Sequence, residues 1–351
     1  MPSFSVEGLT EASSRVLGAA GAPDDIADQL AQWLANSNLA GHPSHGFQRV
    51  PEYVGLILEG RIKPAERPTI VSETATTVLI EGNLGFGHFA AELLTRVVAA
   101  KAKESSVAIG GMTNVTHIGR LGEWGELGNE LGVISYLCMG WAGGAADIAA
   151  PFGGAEPRVG TLPFTFGAPA AENDGMLIDM ATTASAEGKV RVYRDKGLPV
   201  PDGWLLDQDG RPTNDPAKLY EGGMLVPFGG HKGYAVGLMV SLLGANLVGT
   251  AVEGGENPAG GFALAIAPGA FGDAEDVRRG IRANLQRLRN TRPAPGFTEV
   301  QVPGDFERAS CRDLAGQPLD IPDSTWELYL DSAEKVGVSA EEVNALASGA
   351  G

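Results

Sequence analysis

Cysteine, positive charge and long apolar runs are all scarce in this sequence. Its 351 residues include two cysteines, Cys138 and Cys311, which lie far apart without the spacing of a metal site. We therefore expect reduced thiols and a cytoplasmic protein. The longest apolar-rich stretch, residues 234–248, is interrupted by polar residues and glycine and is too short to span a membrane. Residues 1–5 carry no basic segment before an apolar one, so we expect no signal peptide.

The shortage of positive charge limits the possible partners. Lys and Arg number 26 against 43 Asp and Glu, which gives a formal net charge of −17. This charge disfavours nucleic acid and anionic membranes as partners. An anionic substrate would need a local cluster of positive charge, because the overall field repels it. The hydrophobic content of 43% is typical of a globular protein, and the length allows two or three domains.

One segment, at residues 41–53, is dense in reactive groups. Ser44, His45, Arg49 and Tyr53 provide a hydroxyl, an imidazole, a guanidinium and a phenol just after a helical pattern. Chemistry on a small carboxylic acid needs a cation that binds the carboxylate through two hydrogen bonds and a group that titrates near neutrality. The segment therefore predicts a substrate site. The alternative is a polar connection between two helices, whose histidine satisfies a backbone carbonyl.

This segment resembles the signature of the malate/L-lactate dehydrogenase family of the non-Rossmann type. That family includes sulfolactate and ureidoglycolate dehydrogenases, diketogulonate reductase and cyclic imino-acid reductases. The resemblance extends from about residue 5 to about residue 335. It rests on blocks in the expected order: Ser44-His45-Gly46-Phe47-Gln48-Arg49-Val50-Pro51-Glu52-Tyr53, Gly60-Arg61-Ile62, Asn114-Val115-Thr116-His117-Ile118-Gly119, Gly160-Thr161-Leu162-Pro163, Asp179-Met180-Ala181-Thr182, Pro227-Phe228-Gly229-Gly230-His231-Lys232-Gly233 and Pro303-Gly304-Asp305.

The resemblance implies a mixed α/β fold like that of sulfolactate dehydrogenase. A large mixed or antiparallel sheet would bind NAD or NADP without a Rossmann unit, and helices from both termini would form a second part. We expect an N-terminal helical part with the substrate motif at 1–70, a sheet domain with inserted helices at 71–305, and a C-terminal helical part at 306–351 that packs with the first. The family is dimeric, with its active site near the subunit interface, so a homodimer is also implied.

The implied function is reversible hydride transfer between NAD(P)H and C2 of a small 2-oxo acid or cyclic 2-imino acid. In the family, the histidine matching His45 is the proposed proton donor or acceptor, and that matching His117 lies in the substrate pocket. We expect His45 to exchange the proton and His117 to support it. Arg49 would bind the substrate carboxylate, while Ser44 and Tyr53 would bond the substrate or orient the histidine.

No segment matches the G-x-G-x-x-G fingerprint well, and none matches the P-loop. The glycine-rich entry to an apolar helix at 228–234 instead offers backbone N–H groups beside Lys232, which suit a phosphate. The residues alone leave a simple helix cap equally possible. The resemblance favours cofactor binding, because the family's matching lysine lies at its dinucleotide site. The cofactor residues predicted on this basis are Asp179, Met180, Thr182, Lys232, Gly233, Gly304 and Asp305.

Two departures from the family pattern concern the substrate. Leu162 stands where the family usually has asparagine, and Trp141 lies in a block that lacks the usual Thr-Asn-Ser. Both changes remove polar groups near the substrate or the nicotinamide, and Trp141 adds bulk.

Two other functions stay open. One is a catalytically inert ligand-binding member of the family. The other is a metal-dependent lyase or hydrolase that uses His42, His45 and His117, although no cysteine or carboxylate pattern completes its ligand set. The remaining histidines, His88 and His231, are assigned no catalytic role.

Periodicity and punctuation predict the local structure. Helical spacing begins at 23–25 and ends before Gly41, and a second helix begins near residue 48. Ser339 with Glu342 predicts a capped last helix. The other predicted helices are 89–105, 121–130, 185–196, an apolar helix from about 234 and 273–288; the predicted strands are 69–71, 76–80, 107–112, 133–139, 164–168, 176–178, 261–266 and 299–302.

Overall fold

The computed structural model describes residues 1–141, 147–250 and 259–349. Residues 142–146, 251–258 and 350–351 lie outside this description. The strands are β1 Ser3–Phe4, β2 Thr69–Glu73, β3 Thr77–Glu81, β4 Val107–Thr113, β5 Ile134–Trp141, β6 Phe164–Ala168, β7 Met176–Met180, β8 Leu205–Leu206, β9 Pro212–Thr213, β10 Met224–Leu225, β11 Ala259–Ile266 and β12 Leu319–Asp320.

Helices flank these strands. A π-helical turn, Leu242–Leu247, extends α7. The helices are α1 Val6–Ala19, α2 Asp24–Leu39, α3 Val50–Leu58, α4 Gly87–Ser105, α5 Leu121–Glu130, α6 Glu187–Asp195, α7 His231–Ser241, α8 Ala274–Arg289, α9 Asp305–Leu314, α10 Asp323–Lys335 and α11 Ala340–Ala347.

The main sheet has seven strands in the order β2-β3-β4-β11-β5-β6-β7. The β3–β4 pair is parallel and the other neighbouring pairs are antiparallel. This sheet differs from the parallel sheet of a Rossmann unit. The predicted large mixed or antiparallel sheet is therefore confirmed.

Alternation along the central strands gives the sheet two apolar faces. Leu137 and Ala263 are register partners, and they face the core that α4 and α5 complete. Cys138 and Phe262, the next pair along, lie in a separate apolar cluster that α7 and its π-helical turn cover. Side chains of successive strand residues point to opposite faces, so one sheet supports both layers.

Both ends of the chain meet in one helical layer. β1 pairs with β12, α1 packs against α2 and α11, and α3 packs against α10. The Tyr329 hydroxyl lies 2.8 Å from the Ser13 hydroxyl across this layer. A continuous apolar core joins the layer to the sheet, from Leu9 through Leu94 to Val343. The predicted helical part from both termini is present, while the division into the parts 1–70, 71–305 and 306–351 stays a prediction.

One predicted strand is wrong. Residues 299–302 do not form a strand. The Pro303 carbonyl accepts one bond from Leu177 N, and Gly304, at φ +97°, then turns the chain directly into α9. A single bond of this kind cannot extend into a ladder. Among the described residues, no helix combines the length and the apolar character that crossing a membrane requires.

Candidate active site

The segment that carries the predicted substrate residues is a tight turn between α2 and α3. Two 3-10 turns, Pro43–His45 and Phe47–Arg49, lead into α3. Asn38 holds the turn, because its side-chain oxygen accepts a bond of 2.9 Å from Phe47 N. A Cβ on Gly46 would lie 1.7 Å from that oxygen, so the turn requires glycine there.

His45 lies at the end of the first 3-10 turn. Its Nδ1 is 3.0 Å from the Ser44 hydroxyl, which can donate to or accept from the ring. Burial, with a smaller contribution from the Arg49 charge, lowers the pKa of His45 to about 3. The imidazole is therefore neutral near pH 7.

His117 reaches the same place from the loop between β4 and α5. Its Nδ1 lies 2.7 Å from the Tyr53 hydroxyl and 3.4 Å from the Gly119 amide nitrogen. Thr116 fixes this loop, because its hydroxyl donates to Gly85 O at 2.8 Å and accepts from Gly87 N at 3.0 Å. Burial lowers the pKa of His117 well below its ordinary value.

The imidazoles form a cluster. The rings of His45 and His117 stack with centroids 5.5 Å apart, and His88 meets His117 edge-on at 6.2 Å. His88 is 2% exposed, and its Nδ1 has no hydrogen-bond partner among the described residues. Burial lowers the pKa of His88 to about 3. His88, which was assigned no catalytic role from the sequence, lies in the first turn of α4 and contacts this cluster.

Arg49 forms two hydrogen bonds with residues close to it in the chain. Its Nε donates to Ser44 O at 2.6 Å, and its Nη1 donates to Glu52 at 2.5 Å. Arg49 and Glu52 therefore form an ion pair. Within the described residues Nη2 has no hydrogen-bond partner, so part of the guanidinium is not engaged by the protein.

A buried charge cluster lies behind this site. Asp179 accepts a bond of 2.8 Å from Gly122 N at the start of α5, and burial raises the pKa of its carboxyl. The Arg120 guanidinium lies beside Asp179 and forms ion pairs with Glu126 and, at 3.3 Å, with Glu123. Arg120, which is 3% exposed, was not among the site residues predicted from the sequence. These contacts give Asp179 a role in capping α5; a cofactor role stays a prediction.

His42 points to a different partner. Its Nε2 lies 3.2 Å from the Glu307 carboxylate on α9, and its ring meets Phe306 edge-on. Among the described residues, no group of three or more His, Cys, Asp or Glu side chains is arranged to hold a metal ion.

The segment predicted to bind phosphate leads into α7. Lys232 lies in the first turn of α7 and is exposed. A Cβ on Gly233 would lie 2.0 Å from Phe228 O, so the backbone there is packed closely. Thr182 is adjacent, since a Cβ on Gly237 of α7 would lie 2.8 Å from its hydroxyl. The structure thus brings Thr182, Lys232 and Gly233 to one region.

The segment after β7 connects this region to the turn between α2 and α3. Met180 ends β7, and the chain continues through Thr182 to α6. A Cβ on Gly188, in the first turn of α6, would lie 3.7 Å from the Ser44 Cβ. The segment from Met180 to Gly188 therefore extends from the region of Thr182 to the turn between α2 and α3.

Gly304 and Asp305 lie elsewhere, near Leu177 at the beginning of β7. The Asp305 carboxylate accepts bonds of 2.7 Å from both Arg289 and Arg308, and these contacts hold its pKa below its usual range. They give Asp305 a structural role at the start of α9, while its cofactor role stays a prediction.

The two departures from the family pattern lie beside α7. Leu162 has φ +44°, a left-handed conformation that costs free energy for a leucine. Its side chain is buried with Cys138, Val240 and Phe262. The Trp141 carbonyl accepts a bond of 2.6 Å from the Ser241 hydroxyl. An apolar contact with α7 thus replaces the polar group usual at position 162.

Known proteins with similar sequences and structures were compared with this chain. The family described as malate/L-lactate dehydrogenase matches residues 4–328. The L-lactate dehydrogenase of Cupriavidus necator is 32% identical over 92% of this chain and 95% of its own. The solved structure of sulfolactate dehydrogenase from Methanocaldococcus jannaschii gives a TM-score of 0.87 at 30% identity, covering 97% of this chain and 99% of its own.

A third relative acts on a different class of compound by its name. The structure of delta1-piperideine-2-carboxylate reductase from Pseudomonas syringae pvar. tomato gives a TM-score of 0.81 at 27% identity, covering 95% of this chain and all of its own (100%). The similarity therefore covers nearly the whole chain in each of these comparisons.

Proposed function

Because this chain belongs to the malate/L-lactate dehydrogenase family, and is therefore an oxidoreductase, we propose that it transfers hydride between NAD or NADP and C2 of a small 2-hydroxy or 2-oxo acid, or of a cyclic 2-imino acid. The cluster of His45, His117 and Arg49 supports this proposal most strongly, because it combines a cation with neutral imidazoles. His45 and Arg49 lie on the turn between α2 and α3, and His117 lies on the loop after β4.

The residues beside α7 fit a dinucleotide. Backbone N–H groups at a helix start, together with an exposed lysine, favour phosphate, and the close packing at Gly233 fixes that backbone. Lys232 and Gly233 would hold the phosphates, while Thr182 and Met180 would lie between them and the substrate. When bound, the nicotinamide would supply or accept a hydride at C2 of the substrate.

The side chains of the turn would bind and orient the substrate. Arg49 would bind the carboxylate through the part of its guanidinium that is not bonded to Ser44 and Glu52. His45 would exchange a proton with the oxygen or nitrogen on C2, and Ser44 would orient its ring. Burial is the larger cause of the low pKa of His45 and the Arg49 charge adds to it, so a bound carboxylate that neutralises this charge would remove the smaller contribution.

The test is a turnover screen. NADH and NADPH oxidation are measured with a panel of 2-oxo acids, with and without amines that form imines. We expect activity on a member of the panel, and His45→Ala to lower kcat by about a hundredfold or more with little change in cofactor affinity. Normal turnover by His45→Ala would contradict the assignment of His45.

We also propose a homodimer in the cytoplasm. An apolar row on α7 and its π-helical turn is exposed, with Leu238 at 43%, Met239 at 44% and Leu242 at 51%. Such a row on a surface suits burial against a second copy. Sedimentation analysis should give a dimer that Leu242→Glu weakens. The two free thiols, Cys138 and Cys311, suit a reducing compartment.

A further inference from the structure

The Nδ1 atom of His117 lies within hydrogen-bond distance of two groups. The Gly119 amide nitrogen is 3.4 Å away and the Tyr53 hydroxyl oxygen is 2.7 Å away. A backbone N–H can only donate, so the long contact with Gly119 favours an unprotonated Nδ1 but is weak. The Tyr53 hydroxyl is closer, and its proton has no other acceptor among the described residues, so Tyr53 donates to Nδ1 and provides the stronger preference. The single proton of the neutral ring is therefore left on Nε2.

The opposite tautomer is disfavoured by burial. It would set an Nδ1–H group against the Gly119 N–H, and it would leave the Tyr53 hydroxyl proton without an acceptor among the described residues. Tyr53 is 1% exposed, so a hydroxyl proton left without a partner there would cost free energy. Burial also raises the pKa of Tyr53, which keeps its hydroxyl protonated and able to donate.

His45 is not constrained in this way. Its Nδ1 contacts the Ser44 hydroxyl, which can either donate or accept, so both neutral tautomers of His45 are possible. A ring that can change its protonated nitrogen is suited to proton exchange, whereas a ring fixed in one form is suited to donating a hydrogen bond. The different partners of two stacked imidazoles thus indicate different roles.

We propose that Tyr53 is a positioning residue that fixes His117 as the Nε2–H tautomer, so that His117 donates a hydrogen bond to the substrate oxygen or nitrogen and His45 exchanges the proton. The inference rests on the proposed function, which supplies that substrate atom. Tyr53, expected from the sequence to bind substrate, would then act through His117.

The first test needs no substrate. Nuclear magnetic resonance of protein labelled with ¹⁵N histidine distinguishes a protonated ring nitrogen from an unprotonated one, and His117→Gln identifies the His117 signals. We expect Nδ1 to be unprotonated and Nε2 protonated near pH 7, and Tyr53→Phe to give a mixture of both tautomers. Tyr329→Phe is the matched control, because it removes another buried tyrosine hydroxyl, which contacts Ser13; the His117 signals should not change in it.

The second test separates donation from proton exchange. Glutamine can donate a hydrogen bond near the position of Nε2 but cannot take up a proton. We expect His117→Gln to keep a kcat about tenfold or more above that of His117→Ala, the scale of a preorganised donor. His45→Gln should lose as much activity as His45→Ala. Equal losses in the two His117 variants, with partial retention in His45→Gln, would reverse the roles and overturn the inference.

The outcomes distinguish this inference from the proposed function. An Nδ1–H form of His117 in an active enzyme overturns the inference alone. The expected tautomer in a protein that oxidises neither cofactor with any substrate of the panel supports the fixed tautomer and contradicts the proposed function.

Discussion

Replacement of Arg49 tests whether this residue binds the substrate. Loss of its contacts with Ser44 and Glu52 should lower stability, whereas loss of a contact with the substrate should lower kcat/KM. In Arg49→Ala the exposed pair with Glu52 is lost, which costs ~0.2–1 kcal/mol of stability. The bond to Ser44 O is also lost, which costs ~1 kcal/mol. If the remaining guanidinium edge binds the carboxylate, the transition state should also lose ~1.5–3 kcal/mol of stabilisation. This loss should lower kcat/KM by about 10–150-fold.

Two variants complete this experiment. Arg49→Lys keeps the charge but loses the planar pair of donors, so it should already lower kcat/KM by about tenfold. Glu52→Gln breaks only the exposed ion pair and should leave kcat/KM within about threefold of the wild type. The assay is kcat/KM on one active 2-oxo acid, with the melting temperature of each variant measured in parallel. Equal kcat/KM in Arg49→Ala, Glu52→Gln and wild type would refute carboxylate binding by Arg49.

Three further substitutions test other parts of the account. Lys232→Ala should weaken binding of the reduced cofactor by about tenfold or more in a nicotinamide-fluorescence titration, whereas the exposed Lys103→Ala should not change it. Gly233→Ala should lower the free energy of unfolding by ~1–3 kcal/mol, because its Cβ would lie 2.0 Å from Phe228 O; Gly280→Ala, with nothing within 4 Å, should raise it slightly. The folded state holds the pKa of His88 at about 3 against an ordinary 6.5, so the unfolded chain binds the extra proton between these values and stability falls as pH falls. Between pH 7 and pH 5, the free energy of unfolding in urea should therefore fall by about 2 kcal/mol less in His88→Phe than in the wild type. Equal decreases in the two proteins would contradict burial of a neutral His88.

The sequence predicted the parts of the fold that depend on local pattern. Helical spacing and glycine punctuation predicted α2 and the turn after it. Pro51 lies in the first turn of α3, where a proline is tolerated. The strand predicted at 299–302 failed, because β-branched residues show only that a segment suits a sheet. Whether a neighbouring strand continues beside it is decided by tertiary structure, and here Gly304 starts α9 instead.

The site shows the same limit. Tyr53 and His117 are 64 positions apart, so no local pattern reveals the bond between their side chains. His88 was set aside because an isolated histidine is usually structural; its contact with His117 depends on how α4 packs beside the loop after β4. The pair of Arg49 with Glu52, at a spacing of three residues, was open to prediction because helix geometry brings such side chains together.

The most direct test of the central account is transfer of deuterium. The protein is incubated with an active 2-oxo or imino acid and NADH or NADPH that carries deuterium at both hydrogen positions of nicotinamide C4, and the product is analysed by mass spectrometry. The account predicts one deuterium at C2 of the product for each cofactor oxidised, with transfer lowered by about a hundredfold or more in His45→Ala. Conversion of the substrate without deuterium at C2, or without oxidation of the cofactor, would contradict it.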